Sequence, residues 1–399
     1  MFFSIMILIV STIFSVFVIL YKLKHNGYTV FFDSYLLILV FSLLYFNLPS
    51  FFVTDLNMYY RWGISLDSMV FSNLLVSFST VFLSVSLVFS NSDKNKIHIN
   101  ALKAAKPNVN NKTLIFVVFI ILCVFLLVKL KDIDFSVLSG TYSALSRDEF
   151  SKSVAYFTVS VVVLTYFRLR SFIVLTPLFA VILLDISSGT RSAALVCMLT
   201  LIYIYIYSQK KIPYIATIIL ILILLLVGLL RAKINSFIPT HIILLGEMGE
   251  TFITLPKLIL DGNYVGHGTV IGVIASLFFA LLQPYRLLIN ETYTFSGPFM
   301  AEYINRGYGF ASNYIIDSLY LGYYGFPLVL MCIFIYCRVS NYIMNSTPYR
   351  FVLMYAIFNC FIIRLIVREG FFGSVGLYMF LLLFYIISLY VFDKVCFDK

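Results

Sequence analysis

Charge is what this sequence most lacks. Only 12% of its 399 residues are Asp, Glu, Lys or Arg, against about 25% in soluble domains, which excludes a soluble enzyme or a solvated binding module. Acidic residues are the scarcer kind, 18 against 28 basic ones. The basic residues are nevertheless dispersed and form no basic domain, so nucleic acid is excluded as the partner behind a net charge of +10. Cysteine is rare and unpatterned: Cys123, Cys197, Cys332, Cys337 and Cys360 fall inside apolar runs, and Cys396 follows the last of these. With no Cys-x-x-Cys pair, neither a disulfide framework nor a structural zinc is expected.

What is abundant is apolar side chain, 61% of residues with 18% aromatic, at a mean hydropathy of +1.00. Apolar runs closed by charge predict membrane spans near residues 3–21, 34–53, 69–90, 113–129, 153–169, 171–187, 192–208, 212–230, 317–337, 351–367 and 373–392. The expectation is an all-α polytopic protein of about eleven transmembrane helices, forming one integral membrane domain over residues 1–399. Thr190, Arg191 and Ser192 break the sixth span from the seventh, which predicts a tight helical hairpin. The run 269–283 is shorter and crowded by Gly266, Gly268, Gly272 and Pro284, so it reads as a re-entrant or surface-lying helix.

Orientation follows from the retention of Lys and Arg in cytoplasmic loops. With the loop after the first span inside, the inner face holds 15 basic and four acidic residues and the outer face 13 basic and 14 acidic. The N-terminus is then outside and the C-terminus cytoplasmic, and the first span, with no small-residue cleavage site, reads as retained. The inner cations are mostly lysine, whereas the outer ones include eight arginines (Arg61, Arg147, Arg191, Arg231, Arg286, Arg306, Arg364 and Arg368). Arginine's planar fork suits bidentate contact with phosphate, so chemistry is expected on the outer face.

Residues 231–312 form one large outer segment in this topology. Apolar stretches alternate there with Gly and Pro, as for short helices at the membrane surface, and it carries Glu250, His267, Arg286, Glu291 and Glu302. It reads as a lid over an amphipathic substrate. Asp185, Arg191 in Ser188-Gly189-Thr190-Arg191-Ser192, and Arg364 and Arg368, four apart on one helix face, are positioned to line the same cavity. An arginine in the hydrocarbon costs about 2.5–3.5 kcal/mol on insertion scales, so Arg364 either snorkels to the interface or serves a ligand.

The architecture resembles that of bacterial O-antigen polymerases. The resemblance rests on many spans, a large late outer loop, Ser-Gly-Thr-Arg-Ser opening a span, and Gly307-Tyr308-Gly309 leading to Asn313 and then to Asp317, Gly322 and Gly325. The acid followed by two glycines three apart matches that family's last element, and the ten-residue interval between Arg286 and Gly297 matches a spacing found in its outer loops. What the resemblance implies is a GT-C-like, metal-independent glycosyltransferase of the bacterial inner membrane, without a cofactor. It would join polyprenyl diphosphate-linked oligosaccharides at the periplasmic face, among membrane lipid and beside a chain-length regulator protein. In such a reaction Arg191, Arg286, Arg364 and Arg368 would neutralise the diphosphate, and Glu250, Glu302, Asp317 or His267 would supply the base. The 29 tyrosines offer sugar-stacking faces or an aromatic belt.

Three other readings compete. Asp132-Ile133-Asp134 has the form of a metal-holding Asp-x-Asp, but Lys131 adjoins it and no further ligand is near, so no metal site is assigned. An O-antigen ligase shares the architecture. A lipid-linked glycan flippase would show two corresponding halves with interrupted spans, which are not visible here.

Overall fold

The fold, obtained as a computed structural model, describes residues 2–53, 64–90, 112–131, 150–169, 171–187, 192–209, 211, 222, 247–261, 266, 313–347 and 349–372. Among these residues every regular element is helical. In chain order they are α1 (Phe2–Asn26), α2 (Ser34–Ser42), a π-helical turn (Leu43–Asn47), α3 (Leu48–Val53), α4 (Leu66–Phe89), α5 (Lys112–Lys131), α6 (Phe150–Leu169), α7 (Thr176–Ser187), α8 (Ser192–Gln209), α9 (Glu247–Asp261), α10 (Tyr314–Tyr320), α11 (Gly325–Ser346) and α12 (Tyr349–Glu369). Four described stretches, Phe2–Phe32, Ser34–Phe52, Leu66–Phe89 and Gly325–Ser346, are long and apolar enough to cross a membrane. The chain is a helical, membrane-embedded protein. The expected spans 212–230 and 373–392 and the run 269–283 lie outside the described residues, save for Leu222 in the first.

The chain divides into two compact units. The first comprises Met1–Lys96, Leu245–Ser346 and Asn359–Tyr385, the second Ile97–Leu244, Thr347–Phe358 and Ile386–Lys399. In the first unit α1 packs along α4. The buried stripe of α1 runs Ser4, Leu8, Ser11, Ser15, Val18 and Lys22, a spacing of alternately four and three residues. Small hydroxylated residues on this stripe let the two backbones approach, as between membrane helices generally. Ser15 and Ser84 share a hydrogen bond of 2.7 Å between them. The opposite face exposes Phe3, Val10, Ile13 and Phe17, apolar side chains suited to lipid.

The polar residues of α4 are tolerated because they satisfy themselves locally. Ser72, Ser77, Thr80 and Ser84 each donate to the carbonyl four residues earlier, so few hydroxyls need a partner from another helix. Those that reach across join elements far apart in sequence: Asn47 bonds Thr12 of α1 at 2.8 Å and Thr80 of α4 at 3.0 Å.

A second knot of polar groups ties the α1–α2 junction to the ends of α4 and α11. Asp33 caps α2 by accepting from Tyr35 N at 2.9 Å, and its carboxylate also accepts from Ser90 Oγ at 2.7 Å and Asn341 Nδ2 at 2.9 Å. Lys22 Nζ donates to Ser90 O at 2.9 Å. Asn359 of α12 joins through Ser34 and Ser340.

The expected span 317–337 is two helices instead of one. The chain turns after α10 because Gly322 takes φ +85, a conformation that favours glycine. Gly322 N donates to Leu319 O at 2.8 Å and Gly325 N to Gly322 O at 2.9 Å. Pro327 then falls in the first turn of α11, where its missing N–H leaves no bond unmade. Apolar content alone reads through this turn, since Leu321, Tyr323 and Tyr324 look like span residues.

In the second unit α6, α7 and α8 pack on one another, and α5 rests on α6 and α7. Buried Val159, Val162, Leu178, Val181, Val196 and Cys197 supply that core. The predicted hairpin of the sixth and seventh spans corresponds to α7 and α8, with a 3-10 turn over Phe172–Leu175 before α7.

Candidate functional site

The site is built in the first unit, around the C-terminal half of α12. Asp317 stands in the first turn of α10, whose N-terminus is capped by Asn313: its Oδ1 accepts from Ile316 N at 2.9 Å while its Nδ2 donates to Thr251 O of α9 at 3.1 Å. The short helix is thereby fixed to α9 at one end and closed by the Gly322 turn at the other. Gly325 is required there by closeness, because a Cβ would lie 2.6 Å from Leu321 Cβ and closer still to Ser318 O.

So fixed, Asp317 turns its carboxylate to the end of α12. It is buried, with 2% exposure, and Oδ2 accepts from Phe372 N at 3.4 Å. Gly370, at φ +103, wraps closely around the carboxylate: a Cβ there would lie 2.8 Å from Oδ1 and nearer still to Oδ2. Arg368 precedes this glycine by two residues, and Arg364 lies one helical turn before Arg368.

The two arginines differ in setting. Arg364 is 2% exposed and so does not snorkel; its Nε donates to Tyr45 OH at 3.2 Å. Arg368 is half-buried and pairs with Glu369 at 3.0 Å. Tyr45 arrives from the π-helical turn, which delivers three consecutive side chains to partners on different helices. Tyr45 meets Arg364, Phe46 stacks edge-on against Tyr314 with centroids 5.4 Å apart, and Asn47 bridges α1 and α4. One extra residue per turn, the mark of such π stretches, re-aims a side chain without ending the helix, and they are frequent at functional sites. Sequence reading missed Tyr45, since an isolated tyrosine in an apolar run carries no signal of its partner.

Asp185, placed by the sequence among cavity-lining residues, has a backbone partner. It is 2% exposed and its Oδ2 accepts from Ala194 N at 2.8 Å, capping the first turn of α8 across the hairpin. Glu250 lies on α9, but its side chain is outside the described residues, as are Arg191, His267, Arg286 and Glu302 altogether. Asp132 and Asp134 are outside them too. Of the segment 231–312, the described helix α9 has Phe252, Ile253, Leu255 and Leu258 buried and packs against α3, α4 and the π turn.

The structure thus brings together Asp317, Arg364 and Arg368 from two stretches of sequence, with Tyr45 from a third. Chemically this is a carboxylate engaged with backbone beside a helix end bearing two guanidinium groups, a set that offers bidentate donors to an anionic oxygen. No family model, characterised protein or solved structure matches this chain.

Proposed function

We propose that this membrane protein is an O-antigen polymerase: a GT-C-like enzyme of about eleven spans in a bacterial inner membrane, with its N-terminus and residues 231–312 in the periplasm. The observation that carries the reading is the packing of Asp317, Gly322 and Gly325, the residues of the family-like element, in the same unit as Arg364 and Arg368, with the carboxylate against the end of their helix. In the proposed reaction a sugar hydroxyl of one lipid-linked repeat unit attacks the anomeric carbon of another. The glycosyl–phosphate bond breaks, polyprenyl diphosphate leaves with the bonding electron pair, and the hydroxyl proton passes to a base. Arginines offset the charge that develops on the leaving diphosphate, an electrostatic contribution that needs no metal. Arg368, half-buried beside Glu369, is the described cation best placed to meet a ligand, and Arg364 supports it from the turn below.

The test is the surface polysaccharide of a deletion strain. Lipid A core bearing a single repeat unit is expected, because ligation proceeds without polymerisation. Core bearing none would make the chain a ligase, and lipid-linked repeats accumulating on the cytoplasmic side would make it a flippase.

A further inference from the structure

Asp317 is one of the four groups offered as the base of such a transfer, yet its surroundings argue for another task. A general base must come within about 2.6–3.2 Å of the hydroxyl it deprotonates, directly or through one water. The carboxylate of Asp317 is instead enclosed by the chain at Gly370 and Phe372, and the residue is 2% exposed. The left-handed φ of Gly370 folds the backbone around it, and no side chain larger than hydrogen fits between them.

Resting on the polymerase reading, we propose that Asp317 is a positioning residue that anchors the end of α12, so that Arg368, supported by the buried Arg364 one turn below, meets the lipid diphosphate in a fixed orientation. The anchor is stiff because α10 is itself held, through Asn313 to Thr251 and through the Gly322 turn to α11. At the other end of the same stretch Tyr45 holds Arg364 by its Nε. Arg368 lies between these two contacts, four residues after Arg364 and four before Phe372, so freeing the Asp317 contact loosens the end of the helix that carries Arg368. The base for the transfer is then another group.

Substitution by asparagine separates the two roles, since the amide oxygen can still accept from Phe372 N but cannot take a proton at neutral pH. The measurement is polymerisation of a purified polyprenyl diphosphate-linked repeat unit by the full-length protein in detergent or vesicles, giving kcat and KM across a pH series. Asp317→Ala should raise KM for the lipid-linked substrate about tenfold, as expected for losing a hydrogen bond to a charged group, whereas Asp317→Asn should restore KM and leave the pH profile of kcat unchanged. Gly370→Ala, which displaces the carboxylate while keeping it, should raise KM as Asp317→Ala does and covers the case in which that variant fails to fold. A fall in kcat of about a hundredfold or more in Asp317→Asn, with its pH dependence altered, would identify a base and overturn the proposal. Active wild-type protein with that outcome leaves the polymerase reading standing; wild-type protein that forms no polymer removes both.

Discussion

Tyr45 and Arg364 are both nearly sealed from solvent, at 4% and 2% exposure, so Tyr45→Phe deletes the hydrogen bond to Arg364 and little volume. A bond to a charged group is worth about 1.5–3 kcal/mol, and a lowered unfolding temperature of the detergent-solubilised protein should report a loss of that size. Asp33 makes a different prediction. Burial is the largest influence on its carboxyl and raises its pKa above the ordinary 3.8, against the opposing pull of Ser90, Asn341, the Tyr35 N–H and the Lys22 charge. A raised folded-state pKa means that the native protein holds the proton more tightly than the unfolded chain does. The stabilisation is therefore complete below the ordinary carboxylate pKa and is lost as pH rises through the raised value. Thermal unfolding followed across an acid-to-neutral pH series should show this decline in the wild type, and Asp33→Asn should flatten it. An equally steep decline in the variant would assign the effect to other groups.

Among the elements, the α7–α8 hairpin gives the clearest case of a residue whose type was conspicuous and whose role was not. A buried acid in an apolar run announces Asp185, but only the fold shows that it meets Ala194 N at the start of α8. Asp185→Ala removes the cap and should cost about 1–2 kcal/mol, read as a lower unfolding temperature or as earlier protease cutting between α7 and α8. Asp185→Asn, which keeps an acceptor, should recover most of it. The long apolar stretches of α1, of α2 with α3, and of α4 were legible because hydropathy acts over some twenty residues and needs no partner. The boundary between α10 and α11 was not, since it depends on a left-handed Gly322 inside an apolar window. The π turn was illegible for a related reason: Leu43–Asn47 has the composition of any buried helix, and its register shift is decided by what Tyr45, Phe46 and Asn47 pack against. Of the candidate site, Asp317, Arg364 and Arg368 could be chosen from the sequence because charge is conspicuous among apolar residues. Their meeting could not, because Asp317 reaches Phe372 across 55 residues.

For the molecule as a whole, the proposed topology requires the segment 231–312 outside, on the strength of the excess of Lys and Arg in the other set of loops. In a background lacking the six native cysteines, Asp261→Cys should label with a membrane-impermeant maleimide from the periplasmic side. Lys103→Cys should label only after the inner membrane is opened. The reverse pattern would put the arginines in the cytoplasm and remove the polymerase assignment with the topology. The knot at Asp33 adds a demand in time. Its partner Asn341 lies 308 residues further along the chain, and at synthesis rates of about 5–20 residues per second that separation is on the order of 15–60 s. During that interval α1, α2 and α4 can associate, but the carboxylate lacks the amide that completes its burial. The first helices to enter the membrane must therefore hold Asp33 where water or another polar group can reach it, and closure of the first unit waits on the arrival of α11. A nascent chain stalled before Asn341 would expose that unfinished junction, a point at which quality-control proteases can tell an incomplete protein from a finished one.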